Sequence, residues 1–361
     1  MSPVSPAIVA QKSVAQLPRW ALLLLCLAYV VPGFVGRQPW KNADIEAFGF
    51  MLSLARPQDS GSVSWLKPML AGQLEPSLSL LHTWLGAAAI RLAPMGWEAS
   101  AARLPFMAML VLTLLATWRG VFALARTRAA QPVAFAFGGE ARPLDYARTL
   151  ADGALLIYLA CLGLLLRSHE TATPALHVSL VAAAFYAAAC LFDRPTARAA
   201  IGLGTTLGLL VLARGWTVPL ALLIAMFALA VAIYREALRD LFRFTLSISI
   251  LIPLAWLLAH RMLLPGAEVA DVWLNTNLHM LSWPRLVTLG FLAKTLVWYS
   301  WPAWPIAAWA VWAWRSQATL HVMLTVAGVT ALLLLNLFTQ SPKDHELLSL
   351  LPPLIASSLS A

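Results

Sequence analysis

Long apolar stretches separated by short polar clusters are the dominant pattern along this chain. Many of them approach or exceed the ~20 residues that a helix needs to cross a bilayer. Their residues do not alternate with period two, as the strands of a membrane barrel do. The pattern therefore predicts an all-α polytopic membrane protein, with the 361-residue chain as a single transmembrane domain. The predicted spans, about ten in number, are 19–36, 103–125, 150–166, 174–192, 196–213, 217–234, 244–260, 292–314, 318–338 and 346–361.

The charge distribution predicts the orientation of these spans. Only 11% of residues are charged, and the net charge of +9 comes from basic residues grouped in alternate loops. Examples are Arg126 with Arg128 and Arg194 with Arg198. Cytoplasmic loops of membrane proteins carry this excess of Lys and Arg. The basic charge therefore indicates a lipid bilayer as partner, with the N-terminus inside, and not a nucleic acid.

One apolar run, residues 77–94, conflicts with this orientation if it is counted as a span. It would move the arginine-rich loop at 126–148 to the outer side and invert every later helix. We therefore predict that it lies on the outer membrane surface or is half-inserted. The first outer loop then extends over 37–102 and carries juxtamembrane helices.

Two acidic residues stand two positions apart in the outer segment "ADIEAFGFMLSLA", residues 43–55. Ile45, Phe48 and Leu52 have helical spacing, which predicts a short amphipathic helix on the outer surface. Asp44 at its start is either a helix cap, worth ~1 kcal/mol, or a carboxylate held at the membrane rim as a general base or metal ligand. Glu46 is either solvated or a second catalytic carboxylate.

Further polar residues collect on the predicted outer side, where the positive-inside rule gives them no role. An arginine there is often a membrane anchor, and an acidic residue at a helix start is often favoured by the helix dipole. A His–Glu pair without a third ligand at helical spacing does not indicate a structural zinc site. These candidate binding residues are Lys67, Glu75, His82, His169, Glu170, Arg214, Lys343 and His345.

Several short motifs occur in an order that resembles a known family. After Asp44 and Phe48 come "WLKPMLAG" at 65–72, Trp84 with Leu85, "AARLP" at 101–105, and an Arg-Gly pair at Arg214. This order resembles the membrane glycosyltransferases of the GT-C class, in particular the aminoarabinose transferase and protein mannosyltransferase group.

The resemblance implies a role for each candidate. Asp44 would be the catalytic base or a substrate-orienting carboxylate, with Glu46 as its neighbour. Arg214, where relatives usually have lysine, would bind a polyprenyl phosphate. The other binding candidates, namely His169, Glu170, Lys67, Glu75, His82, Lys343 and His345, would contact phosphate or acceptor. No cofactor is implied, although a divalent cation at Asp44 and Glu170 is compatible with the chemistry.

The chain departs from the family pattern at three places. The segment "LEPSLSL" lacks the family's lysine, so that Glu75 matches only with a shift. The segment "HETATP" lacks an expected aspartate, for which Glu170 is a nearby substitute. The sequence also ends inside its last predicted helix, whereas relatives have more helices and usually an outer soluble domain. We therefore expect that domain to be absent or truncated here.

The sequence thus predicts a glycosyltransferase of a bacterial inner membrane, with its active face periplasmic, a polyprenyl-phosphate sugar as donor, and a lipid or protein as acceptor. A secondary transporter or flippase is an alternative, but the chain shows no paired broken helices in two matching halves. A non-catalytic assembly subunit is a third possibility, which the motif departures keep open.

Overall fold

The structure, a computed structural model, describes residues 7–14, 17–39, 42–57, 65–74, 79–264, 269–340 and 344–357. The regular structure of the described part is helical apart from two isolated β-bridges and one antiparallel hairpin of two-residue strands, β1 (Met69–Leu70) and β2 (Gln73–Leu74). The helices are α1 (Arg19–Phe34), α2 (Asn42–Ala55), α3 (Leu80–Leu92), α4 (Glu98–Ala125), α5 (Pro143–Ala160), α6 (Leu162–Arg167), α7 (Thr173–Asp193), α8 (Ala197–Arg214), α9 (Thr217–Ala232), α10 (Leu238–Asp240), α11 (Ser247–Leu263), α12 (Val269–Leu278), α13 (Leu286–Tyr299), α14 (Ala303–Ala313), α15 (Leu320–Phe338) and α16 (Leu351–Ser357). A π-helical segment, Leu241–Leu246, joins α10 to α11, and a 3-10 helix, Asp344–Leu350, precedes α16.

Five helices in the described part are long and apolar enough to cross a membrane. They are Glu98–Ala125, Thr173–Asp193, Ala197–Arg214, Arg235–Leu263 and Leu320–Phe338. Shorter apolar helices are Arg19–Phe34, Thr217–Ala232, Leu286–Tyr299, Ala303–Ala313 and Glu346–Ser357. The predicted all-α fold of a multi-pass membrane protein is confirmed, whereas the total of about ten crossings stays a prediction.

Two predicted spans are each divided in the structure. The segment 292–314 becomes α13 and α14, separated at Trp301 and Pro302. Proline lacks a backbone N–H and its ring clashes with the preceding turn, so a helix does not continue through it without a kink. The segment 150–166 is divided at Cys161 into α5 and α6.

The run at 77–94 forms α3, a helix of 13 residues. At 1.5 Å per residue it extends about 20 Å, well short of a hydrocarbon core of about 30 Å. Its length therefore agrees with a helix that does not cross the bilayer. It packs against α2, where Met51 lies so close to Gly86 that a Cβ at Gly86 would stand 2.1 Å from the methionine sulfur.

The face by which α2 packs differs from the predicted apolar stripe. Ala47, Met51 and Leu54 are buried together with Asp44, whereas Ile45 is 52% exposed. The buried stripe therefore runs one position away from Ile45, Phe48 and Leu52. Packing on Gly86 selects this face, since the long Met51 side chain fits where α3 has no side chain.

Helices α4 and α7 form the centre of the bundle and run in the same direction. Their hydroxyls meet midway, with 2.6 Å between Thr113 Oγ1 and Ser179 Oγ. Both helices begin next to the loop that follows α1, since Arg103 of α4 donates to the Phe34 carbonyl and Thr171, just before α7, donates to Asp44. This end of the bundle is called the Asp44 end below.

Candidate functional site

Asp44 is the most completely buried acidic side chain among the candidates. It is 1% exposed and lies in the first turn of α2. One carboxylate oxygen accepts from Arg37 Nη2 at 2.9 Å, and the other accepts from the Thr171 backbone N–H at 2.9 Å and the Thr171 hydroxyl at 3.3 Å. The carboxylate therefore joins three separate segments of the chain, and its partners here are not the N–H groups of its own helix. The helix-cap interpretation does not describe this arrangement.

Two arginines surround this carboxylate. Arg37 also donates to the His169 carbonyl at 3.0 Å and keeps 27% of its side chain exposed. Arg103 is 4% exposed and lies close enough for its charge to interact with both Arg37 and Asp44. Its Nη2 atom is buried without a hydrogen-bond partner among the described residues. Two guanidinium groups and one carboxylate leave an excess of positive charge, which suits an anion.

His169 closes the cluster from the side of α1. Its ring lies directly on Gly33, where a Cβ would stand 1.8 Å from the imidazole Cδ2. Since the Tyr29 carbonyl can only accept, His169 Nε2 donates to it at 2.9 Å, which leaves Nδ1 to accept from Ser168. Burial lowers the pKa of His169. The hydrogen bond to the Tyr29 carbonyl raises the pKa in part, and the positive charge of Arg37 lowers it further. The imidazole is therefore neutral at pH 7.

Glu170 stands beside Thr171 and is 2% exposed. Its carboxylate accepts from Arg167 Nη1 at 2.8 Å. The structure thus brings Asp44 and Glu170 into one region, but each carboxylate is paired with an arginine. The described residues contain no group of three or more His, Cys, Asp or Glu side chains that could hold a metal ion. The residues present therefore do not fit a cation that bridges Asp44 and Glu170.

His82 lies in a chain of hydroxyl groups that leads from this cluster toward Arg214. Thr173 donates to Ser79 at 2.9 Å, and Ser79 donates to the carbonyl of Ala213. Because both hydroxyl hydrogens are used in this way, His82 Nδ1 donates to Ser79 at 3.0 Å. Burial lowers the pKa of His82 to about 4, although the hydrogen bond to Ser79 raises it in part. His82 is thus a neutral structural donor in this chain.

Arg214 lines a polar cavity of about 320 Å³ at the same end of the bundle. Its guanidinium forms an ion pair with Glu346, which precedes α16. His177, Asn336 and Ser349 contribute further polar groups to the wall. Asp44 and Glu170 are not among the lining residues, so that the Arg214 cavity and the Asp44 cluster are neighbouring sites joined by Thr173, Ser79 and Ala213.

An apolar groove of about 640 Å³ continues from this cavity between α9 and α15. Leu281 and Leu335 line both the groove and the polar cavity. Most of the groove wall is alanine and branched aliphatic side chains, such as Ala225, Ala228 and Val326, and Thr330 is the one polar residue among the described residues that line it. A molecule with a polar head and an apolar tail fits this combination.

The remaining candidates from the sequence lie elsewhere. Glu46 is exposed on α2 and does not join Asp44. Positions two residues apart on a helix are about 200° apart around its axis, so the structure does not place Glu46 in the Asp44 cluster. Lys67 is half-buried beside the hairpin. Glu75 and Lys343 lie outside the described residues, as does the side chain of His345.

Several residues of this region were not predicted as site residues. Five of them contact a predicted candidate or its neighbours, namely Arg37, Arg103, Thr171, Ser79 and Glu346. A signal existed for two of them. Arg37 lies in the predicted outer loop, and Arg103 begins the predicted span 103–125 at its outer end, where the positive-inside rule does not place basic residues.

The fold of this helical bundle has counterparts among solved membrane-protein structures. The chain superimposes on ArnT from Cupriavidus metallidurans bound to undecaprenyl phosphate with a TM-score of 0.73, 12% identity, and coverage of 94% of this chain and 59% of that chain. The structure of the same ArnT in the apo state gives a TM-score of 0.70 and 14% identity, with coverage of 94% of this chain and 59% of that chain.

The likeness to ArnT concerns the fold, because only 12% to 14% of residues are identical. The chain spans 59% of the length of the ArnT structures that it matches. No protein-family model matches the chain, and no curated protein matches its sequence.

Proposed function

We propose that this chain is a glycosyltransferase of a bacterial inner membrane that moves a sugar from a polyprenyl-phosphate donor to a lipid or protein acceptor on the periplasmic side. The observation that carries the proposal is the similarity of fold, over 94% of the chain, to an ArnT structure with undecaprenyl phosphate bound. The Asp44 cluster and the Arg214 cavity support it, because they supply the charges that such a transfer needs.

The donor lipid would occupy the cavity and the groove together. The polyprenyl tail would lie in the apolar groove between α9 and α15, and its phosphate would enter the polar cavity past Leu281 and Leu335. Arg214 would contact the phosphate. To do so, its guanidinium must leave the ion pair with Glu346 and bind the phosphate instead. Arginine binds phosphate, as it binds carboxylate, with two parallel hydrogen bonds, so a phosphate can take the place of the Glu346 carboxylate.

Asp44 would accept the proton of the acceptor. In the transfer, the acceptor oxygen bonds to the anomeric carbon of the sugar, and the bond from that carbon to the phosphate oxygen breaks. The electron pair stays on the phosphate, and the acceptor's proton passes to the Asp44 carboxylate. Arg214 would stabilise the negative charge on the leaving phosphate, and Arg37 and Arg103 would stabilise the partial negative charge on the acceptor oxygen as its proton leaves.

Glycosyl transfer by purified protein in liposomes tests this proposal, with Asp44→Asn compared against Glu46→Gln. Both changes convert one carboxylate of α2 to an amide, but only Asp44 contacts the arginines. We expect Asp44→Asn to lower the rate by about 10²–10⁴-fold and Glu46→Gln to leave it near that of wild type.

The melting temperature of each variant is measured alongside the rate, since Asp44→Asn also breaks the ion pair with Arg37. Near-equal transfer rates for the wild type and Asp44→Asn, or equal losses of rate in both variants, would show that Asp44 is not the catalytic base.

A further inference from the structure

A second pocket lies at the end of the bundle opposite to Asp44 and has no part in the proposed transfer. Its volume is about 840 Å³, and it opens between the C-terminal ends of α4 and α7. Four arginines line it, namely Arg119, Arg126, Arg128 and Arg194, and the acidic residue of its wall is Asp193. The lining therefore carries a net charge of +3, from four positive groups and one negative group.

Aromatic side chains form the inner wall of this pocket. Trp118 and Phe122 are stacked, with their ring centroids 5.1 Å apart and their planes 11° from parallel. The guanidinium of Arg126 lies 5.4 Å from the centre of the Phe122 ring, and Arg119 interacts with Tyr186 of α7. The arginines are thus placed by aromatic neighbours on both helices, in addition to being basic residues at the end of a span.

The outer face of α4 leads from the apolar part of the bundle into the pocket. Leu104, Val111 and Leu115 are exposed by 57%, 50% and 45%. Together with Arg119 and Arg126 they follow one another at spacings of seven, four, four and seven residues. Such spacings place them on one face of the helix. An acyl chain could lie along this face while a phosphate contacts the arginines above it.

We propose that this pocket binds the phosphate headgroup of an anionic glycerophospholipid of the surrounding bilayer. The net positive charge selects an anion, and the exposed apolar face of α4 selects a lipid over a free phosphate ion. Basic pockets between transmembrane helices bind anionic headgroups in this way. The inference is independent of the proposed transfer reaction.

Equilibrium binding of radiolabelled dioctanoyl phosphatidylglycerol to the purified full chain in a neutral detergent tests the proposal. Dioctanoyl phosphatidylcholine and inorganic phosphate are competitors. We expect saturable binding that neither competitor displaces at equal concentration. The variant Arg119→Gln/Arg126→Gln should bind about 30-fold more weakly, because each arginine near a membrane surface contributes roughly fivefold.

The matched control is Arg198→Gln/Arg235→Gln, which removes two exposed arginines at the same end of the bundle that do not line the pocket. It should bind like the wild type, and Arg119→Lys/Arg126→Lys, which keeps the charge, should retain most of the affinity. If both glutamine double variants lost the same affinity for phosphatidylglycerol, the effect would come from the overall charge of the protein, and the proposed binding site would be overturned. Displacement by inorganic phosphate at equal concentration would overturn the lipid as its ligand.

Discussion

His82 shows how a single buried side chain can make this protein sensitive to acid. Its pKa is lowered from 6.5 to about 4 by burial, so that the folded state keeps it neutral while the unfolded state takes up a proton below pH 6.5. Since the unfolded state then binds more protons, stability falls as the pH drops from 6.5 toward 4 and changes no further below that.

The variant His82→Asn measures this contribution. Asparagine keeps an N–H donor toward Ser79 but does not titrate. Between pH 6.5 and pH 5 we expect the wild type to lose about 2 kcal/mol more of unfolding free energy than the variant. Thermal unfolding in detergent at both pH values gives the difference. Equal pH dependence in the two proteins would show that His82 is accessible to protons in the folded state.

The residues of the Asp44 cluster could be predicted from the sequence only in part. Asp44 was found because it follows the first apolar run and matches the order of family motifs. Its partner Thr171 is 127 residues away along the chain, and no periodicity relates the two positions. The separation of Glu46 from Asp44 was predictable, since helical geometry alone places the two side chains on nearly opposite faces of α2.

At the scale of helices, the positions of glycine decide which elements approach closely. Gly204 of α8 faces the π-helical segment Leu241–Leu246, where a Cβ would stand 2.8 Å from the Thr245 carbonyl oxygen and 3.0 Å from its Cα. The Thr245 hydroxyl also donates to the Ala200 carbonyl at 2.9 Å. Backbone atoms cannot move aside as the end of a flexible side chain can.

We therefore expect Gly204→Ala to separate the two elements and lower the unfolding free energy by about 1–3 kcal/mol. The control Gly202→Ala lies on the same helix, where the nearest atom to a new Cβ is Ala187 Cβ at 3.9 Å. It should leave stability unchanged or raise it by up to about 1 kcal/mol, because alanine is the better helix former. Denaturant or thermal unfolding of both variants measures this, and equal effects would contradict the close contact.

The elements themselves were largely predictable, and their breaks and faces were less so. Apolar run length identified the helices that span the described bundle, because this property depends on local sequence. The division at Pro302 also has a local cause and could have been read from the proline. The packing face of α2 had no such signal, since it depends on Gly86 in another helix.

At the scale of the whole molecule, the orientation in the membrane connects both proposals. Asp44 and the Arg214 cavity lie at one end of the bundle, and the four-arginine pocket lies at the other. The positive-inside rule predicts that the arginine end faces the cytoplasm. If the orientation were reversed, a periplasmic transfer at Asp44 would be excluded, whatever the chemistry of the site.

Two single cysteines test this orientation on a background in which Cys26, Cys161 and Cys190 are replaced. Met95→Cys lies in the turn between α3 and α4 at the Asp44 end, where Met95 is 82% exposed. Phe137→Cys lies in the segment between α4 and α5, where the Phe137 side chain is fully exposed. A membrane-impermeant thiol reagent should label Met95→Cys in intact spheroplasts and Phe137→Cys only after the membrane is opened. The two positions control for each other, because both are exposed and both react in opened membranes. Labelling in the reverse order would invert the bundle and place Asp44 inside the cell, and the transfer would then have to use an acceptor on the cytoplasmic side.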